Sequence, residues 1–449
     1  MIWGWIAAAL FLSWFICDRD IPWYHYIWML LPVEMYGINI AGATFKPYML
    51  YGFVIIAYAI MKNRVIKLPV SIVVIAVLLM LSDIVNGFIV ASIMQHLMVL
   101  MILFIAFEYL LAQNKTIHFE EISKVAIATT IGYGIVFTAV SFLFNRGIVL
   151  PDVYTNDRYA TGIIYSSLAG FDKVSVRLRG FCIDPNGLVT TLIPGATFGL
   201  ANLLYRKDSR LNKIKSCLAV GLFFLVVFYS GSRMALLSSF IMASIMFVIG
   251  YREAEHKMQW IIVALAGTLA LMLFVMVNRS QLLTEIYDSF EAFFTSRALL
   301  TDDAGRLTIW RHNLRYLERY NRLLTGVGQN QISNLTVIGK ACHNTWLEWI
   351  CGTGLIVGTF INIFFMFAPV PFSKNAKKLK LVYKHDALPI ILAYIVVLIT
   401  ITSVDNIANS VMLLLAVLFR YGKPSGKSSE YTAETLEAPV VTELENGEK

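Results

Sequence analysis

The sequence predicts an all-α, polytopic membrane protein of about 12 transmembrane helices, with a large, partly helical loop outside the membrane, and three observations carry that prediction. Hydrophobic residues make up 58% of the 449, charged residues only 15%, and the mean hydropathy is +0.67. A water-soluble fold has no place for so much apolar surface. The apolar residues are gathered into runs near the roughly 20 residues that one crossing needs. Lysine and arginine concentrate in short segments between those runs, as they do in cytoplasmic loops. The net charge of +8 therefore belongs to membrane topology and not to nucleic-acid binding.

In chain order the runs lie at 2–17, 23–40, 45–61, 66–86, 88–112, 123–144, 186–205, 214–231, 233–251, 259–277, 345–371, 387–403 and 405–420. The first, MIWGWIAAALFLSWFIC, lacks a basic n-region and a small-residue cleavage site, so it reads as a membrane segment and not a signal peptide. The second contains Pro32 and Glu34 and either spans or only dips into the bilayer. No internal repeat is evident. The segments KNRVIK (62–67), RKDSRLNKIK (206–215), YREAEHK (251–257) and SKNAKKLKLVYK (373–384) are short and mostly basic, so they are expected in the cytoplasm. Counting crossings from them puts 145–185, the turn from Gly231 to Arg233, and 278–343 outside.

Within 278–343, SQLLTEIYDSFEAFFTSRALL and GRLTIWRHNLRYLERYNRLL space their apolar residues three or four apart, the pattern of amphipathic helices at a membrane surface. Residues 1–420 thus form one transmembrane domain, including extracytoplasmic loops at about 145–185 and 278–343. Residues 421–449 are polar and glutamate-rich, and are expected to be a disordered cytoplasmic tail. Five cysteines form no CxxC pair and no metal-ligand spacing. Cys182 and Cys342 both face outward in this topology and could pair, although unpaired thiols are expected.

One residue conflicts with its surroundings. Arg233 stands inside an apolar run extending from about Cys217 to Gly250, and burying a guanidinium in a bilayer costs about 2.5–3.5 kcal/mol on insertion scales. The run is too long for one crossing and must fold back at SGSR, which puts Arg233 at the outer end of a helical hairpin. There the N-terminus of the returning helix favours an anion. An arginine snorkelling to lipid headgroups explains the same position.

Two further outward stretches point to anion chemistry. RLRGFCIDPNG brings Arg177 and Arg179 to the same face, followed by Asp184 and Asn186 at a helix entry where Asp184 also reads as an N-cap. CHNTWLEWICGTG brings His343 and Asn344 to the start of another helix, a position where a histidine is ordinarily a capping or surface residue. Guanidinium groups grip phosphate oxygens and stay charged, while a neutral histidine can take a proton from an attacking hydroxyl. That set suits transfer of a glycosyl group from a lipid pyrophosphate.

The constellation resembles the O-antigen ligase and polymerase family of bacterial membrane glycosyltransferases. The resemblance rests on RLRGFCIDPN, GSR at Gly231 to Arg233, GRLTIW at Gly305 to Trp310, GVG at Gly326 to Gly328, and the pair His343–Asn344, in that order over roughly 170–370. It implies a GT-C-like enzyme of the bacterial cytoplasmic membrane with its active site facing outward. The donor would be an undecaprenyl-pyrophosphate-linked oligosaccharide, used without metal or cofactor and with inversion. Arg179 and Arg233 would hold the pyrophosphate and His343 would orient or deprotonate the acceptor. Arg177, Arg306, Asn344, Asp184 and Asn186 would contact pyrophosphate or glycan, and Glu348 would be a structural partner. A polymerase is favoured over a ligase by the DPN form of the first motif, with a chain-length regulator and a flippase as candidate partners.

A lipid-linked oligosaccharide transporter is the alternative from another class. Its support is the polar set Asp83, Asn86, Gln95, His96, Glu108, Asp405, Asn406 and Asn409 within or near the apolar runs, for which capping and interhelical hydrogen bonding is the simpler explanation. TDDAG at Thr301 to Gly305 could bind a divalent ion or be a solvated loop.

Overall fold

The computed structural model describes residues 2–40, 43–64, 68–150, 152, 161–167, 174–206, 208–253, 306–367, 382–399 and 406–424. The run predicted at 259–277, the first amphipathic stretch, the TDDAG loop, Asp405 and residues 425–449 lie outside the described residues.

The described chain is a helical bundle. Its long helices are α1 (Ile2–Ile16), α3 (Pro47–Asn63), α4 (Val70–Val85), α5 (Val90–Ala112), α6 (Phe119–Asn145), α7 (Pro185–Leu204), α8 (Arg210–Ser230) and α9 (Arg233–Glu253), preceded in the case of α3 by a short α2 (Ile27–Leu30). After 305 come α10 (Arg306–Arg319), the single turn α11 (Ile332–Leu335), α12 (Thr345–Thr353), α13 (Leu355–Phe367), α14 (Leu388–Leu398) and α15 (Ile407–Tyr421). Five helices among the described residues are long and apolar enough to cross a membrane: α5, α6, α7, α8 and the part of α9 from Met234 to Arg252. With the shorter apolar helices α1, α4, α13 and α15 they follow the runs read from the sequence. The outer faces carry large apolar side chains, as on α4 with Val73, Val77, Met80 and Ile84 and on α9 with Leu236, Leu237 and Phe240. Apolar faces of that extent belong in lipid, and the chain is a membrane protein.

At the centre stands α7, whose apolar window is 83% buried against 28% for that of α8. Small residues let its neighbours approach: a Cβ on Gly195 would collide with Thr130 and the Ala126 carbonyl of α6. Pro194 lies within α7 and cannot donate to the carbonyl of Thr190 four residues back. The Tyr394 hydroxyl of α14 donates to that carbonyl instead, at 2.9 Å.

Three local departures from the sequence reading have identifiable causes. The second run is broken into a 3-10 turn (Trp23–Tyr26), α2 and an antiparallel hairpin of β1 (Ile38–Ile40) with β2 (Ala43–Phe45), consistent with Pro22 and Pro32 flanking the helical part. The run predicted at 345–371 is not one straight helix. It turns at Gly354 (φ +88°), where any Cβ would strike the backbone of Leu324 and Thr325, and α13 folds back along α12 so that Asn362 donates to the Trp346 carbonyl at 3.0 Å. The stretch after Val382 begins as a π-turn, Tyr383–Ala387, before α14.

The two ends of the bundle differ in what they contain. At one, Lys215 bonds the Ile16 carbonyl and Asp18, and Arg206 meets Ser123 and both carboxylate oxygens of Asp386 at 2.6 Å. At this end β3 (Thr116–Ile117) also pairs in parallel with β6 (Lys423–Pro424). The other end gathers the 34–46 hairpin, the turns around 86–90 and 231–233, the hairpin of β4 (Ile163–Ser167) with β5 (Val174–Leu178), and the segment before α12.

Candidate functional site

The glycine turn joining α8 to α9 anchors the site. Gly231 takes φ +55°, a left-handed conformation that favours glycine. Ser232 follows as N-cap, its hydroxyl accepting from Ala235 N at 3.1 Å, so α9 begins with Arg233. The predicted placement of Arg233 in the first turn of the returning helix is therefore the placement found.

Two other sequence stretches meet this turn. Arg177, opposite Ile164 in the β4–β5 register, donates from Nε to the Ser230 carbonyl at 3.1 Å and lies against Gly231. Asn186, in the first turn of α7, is hydrogen-bonded through Oδ1 to the Ser232 hydroxyl. Asp184 caps α7 by accepting from Gly187 N at 2.8 Å, which is the capping role its sequence context allowed.

Arg179, which the resemblance assigns to the pyrophosphate, is held by protein groups in this structure. It is 7% exposed and donates from Nε and Nη2 to Asp152 Oδ2 at 3.1 and 2.9 Å, and from Nη1 to the Cys182 carbonyl and Met35 Sδ. Burial is the reason: a guanidinium removed from water needs a counter-charge. Asp152 in turn accepts from the backbone of Thr161 and Gly162, so the pair ties the hairpin to the bundle.

The third stretch carries the histidine. His343 is exposed and has φ +47°, a left-handed backbone uncommon outside glycine and of the kind that clusters at functional sites. Its position is set from both sides. The Trp310 indole donates to the Cys342 carbonyl at 2.7 Å, and Asn344 caps α12 by accepting from Trp346 N and Leu347 N at 3.0 and 3.2 Å. Glu348 accepts from Cys342 N at 3.4 Å, the structural role expected for it. Trp310 is four residues beyond Arg306, hence on the same face of α10.

The charges around His343 identify its neighbours. Partial burial lowers its pKa from the ordinary 6.5, the nearby cations Arg306 and Lys340 lower it further, and Asp184 opposes them. Arg306 and Asp184, from opposite sides of the sequence, are thus both electrostatic neighbours of one imidazole. The GVG turn supports the same segment from below: Val327 N and Gly328 N donate to the carbonyls of Cys351 and Gly352, each at 2.9 Å.

Sequence reasoning missed three contributors. Glu34 and Lys46 form a buried ion pair at 3.4 Å, with Glu34 Oε2 3.0 Å from where a Cβ of Gly187 would stand, beside the entry to α7. Asp152 carried no motif. Glu34 was visible only as a disruption of an apolar run, and nothing in the sequence linked it to residue 187. Of the polar residues considered for a transport pathway, Asp83 accepts from Ser92 and pairs with His96, Asn86 bonds the Thr325 carbonyl, and Asn406 caps α15 and donates to Thr345, whereas both carboxyl oxygens of the buried Glu108 have no hydrogen-bond partner among the described residues. Cys182 and Cys342 do not pair with one another; the first lies against the Pro32 carbonyl and the second against Cys351.

The fold and this arrangement define a helical membrane protein with a cationic, histidine-bearing site at one end of its bundle. Residues 218–362 match the family model described as O-antigen ligase. That match supports, over this segment, the resemblance to the O-antigen ligase and polymerase family. The match includes Arg233, Arg306, His343 and Asn344 and begins after Arg177, Arg179, Asp184 and Asn186. No curated protein matches the chain.

Proposed function

We propose that the protein polymerises undecaprenyl-pyrophosphate-linked oligosaccharide repeat units at the outer face of the bacterial cytoplasmic membrane. The observation that carries the reading is the meeting at one end of the bundle of the Gly231–Arg233 turn, Arg177, and a His343 whose electrostatic neighbours are Arg306 and Asp184. The acceptor sugar hydroxyl attacks the anomeric carbon of the donor from the face opposite the pyrophosphate. The new carbon–oxygen bond forms as the bond to the lipid pyrophosphate breaks, and the configuration inverts. His343, held neutral by partial burial and its cationic neighbours, takes the hydroxyl proton. Arg233, Arg177 and Arg306 receive the charge that develops on the departing diphosphate. Arg179, neutralised by Asp152, holds the hairpin that presents Arg177.

The purified protein in lipid, supplied with its own lipid-linked repeat unit, is expected to produce a ladder of longer glycans. Arg233→Ala and His343→Ala should abolish it; an unchanged ladder in either variant overturns the mechanism. The ligase reading is favoured by the description of the matching family model. It predicts transfer only when a lipid A core or other surface acceptor is added, so growth on the lipid carrier without that acceptor excludes it.

A further inference from the structure

Cys342 and Cys351 lie in a place that the glycosyl-transfer reading does not use. Both are fully buried, at 0% exposure, and the Cys342 thiol donates to Cys351 Sγ at 3.7 Å. They flank the strained His343 and the Asn344 cap, nine residues apart in sequence. Each is also held in place: Asn313 Nδ2 donates to Cys342 Sγ at 3.3 Å, and the Cys351 carbonyl accepts from Val327 of the GVG turn at 2.9 Å. Rotation of the two side chains has to remove less than 2 Å to reach the roughly 2.05 Å of a disulfide.

We propose that Cys342 and Cys351 are an oxidisable pair that closes to a disulfide and clamps the segment carrying His343. The physiological oxidant would be a protein disulfide of the extracytoplasmic space, which rests on the outward placement proposed above; the closure itself does not. One thiolate attacks the oxidant's disulfide and expels a thiolate, forming a mixed disulfide. The second cysteine then attacks the protein sulfur of that bond and expels the other thiolate. The pair loses two electrons and two protons, and the oxidant becomes a dithiol. The hydrogen bond to Cys351 and, after it, burial raise the pKa of the Cys342 thiol, so exchange proceeds through openings of this segment or during folding.

Full-length protein in lipid, fully reduced and then exposed to diamide, tests the closure. Diamide is a membrane-permeant diazene whose N=N bond takes both thiol hydrogens. After denaturation, alkylation and digestion, mass spectrometry is expected to find a Cys342–Cys351 linked peptide and the loss of both alkylatable thiols. Cys351→Ser and, separately, Cys342→Ser should each remove the linked peptide and leave the remaining cysteine alkylatable. If the exposed Cys217 is consumed while Cys342 and Cys351 stay alkylatable, or if Cys342 is found linked to Cys182, the proposal is overturned. Membranes acid-quenched straight from cells separate the two claims: a pair that closes with diamide but is reduced in cells supports the closure and overturns the outward placement.

Discussion

The two ends of the bundle use charge in opposite ways. At the end holding Arg206, the guanidinium is 7% exposed and faces Asp386 through both carboxylate oxygens at 2.6 Å, with Asn202 and Ser123 taking further bonds. Attraction there is matched and closed. At the other end, Arg306 and Lys340 prevail over Asp184 at His343, because with burial they leave its pKa below the ordinary value. A local excess of positive potential is a poor way to stabilise a fold and a good way to receive an anion. Two residues apart within the site, Arg179 pairs with Asp152 and Arg177 bonds the Ser230 carbonyl at the glycine turn.

The largest expected effect is at the closed end. Asp386→Ala leaves the buried Arg206 without its carboxylate, and breaking such a pair costs about 3–5 kcal/mol. The measurement is the unfolding midpoint of the protein in detergent, and a midpoint equal to wild type would dissolve the contrast. Arg306→Ala, by comparison, should leave that midpoint close to wild type. It should slow glycan transfer by about 10²-fold, the scale of losing one group that stabilises developing charge, read from initial rates at saturating donor.

Much of this contrast was legible before any coordinates. The apolar runs and basic loops set the helices and which turns share an end, because hydrophobic length and lysine or arginine bias are strong, local signals. They placed the stretches bearing Arg177, Arg233 and His343 at one end, where Arg177 bonds the Ser230 carbonyl beside the start of α9 and His343 has Asp184 as an electrostatic neighbour. Pairing was not legible. That Arg179 pairs with a carboxylate depends on Asp152, which sits in a loop whose register no periodicity specifies. The fold-back at Gly354 was hidden for a related reason: GTG inside a long apolar run is compatible with a tolerated glycine in one helix, and only the approach of the Leu324–Thr325 backbone forces the turn.

The acidic limb of the pH–rate profile sharpens the comparison at an intermediate scale. A base must be neutral, so activity should be present above the His343 pKa and lost as pH falls through it, at a value below the ordinary 6.5. The neighbours should move that limb in opposite directions. Arg306→Ala removes a cation that lowers the pKa, so the limb of the residual activity should shift to higher pH. Asp184→Asn removes the anion that raises it, so the limb should shift to lower pH. Profiles of both variants that superimpose on wild type would show that His343 is not the titrating base.

The smallest effect concerns the caps. Asn344 accepts from two orphan N–H groups of α12, and Asn344→Ala should cost about 1 kcal/mol as a lost helix cap. Asn344→Asp keeps the acceptor and should restore the stability, yet it puts a negative charge next to His343. Stability and activity then separate. The aspartate variant should unfold like wild type while its acidic limb moves to higher pH, because an added anion favours the imidazolium. If Asn344 touches glycan as well as capping the helix, the aspartate variant should instead lose activity at all pH values, and initial rates across the profile decide between the two.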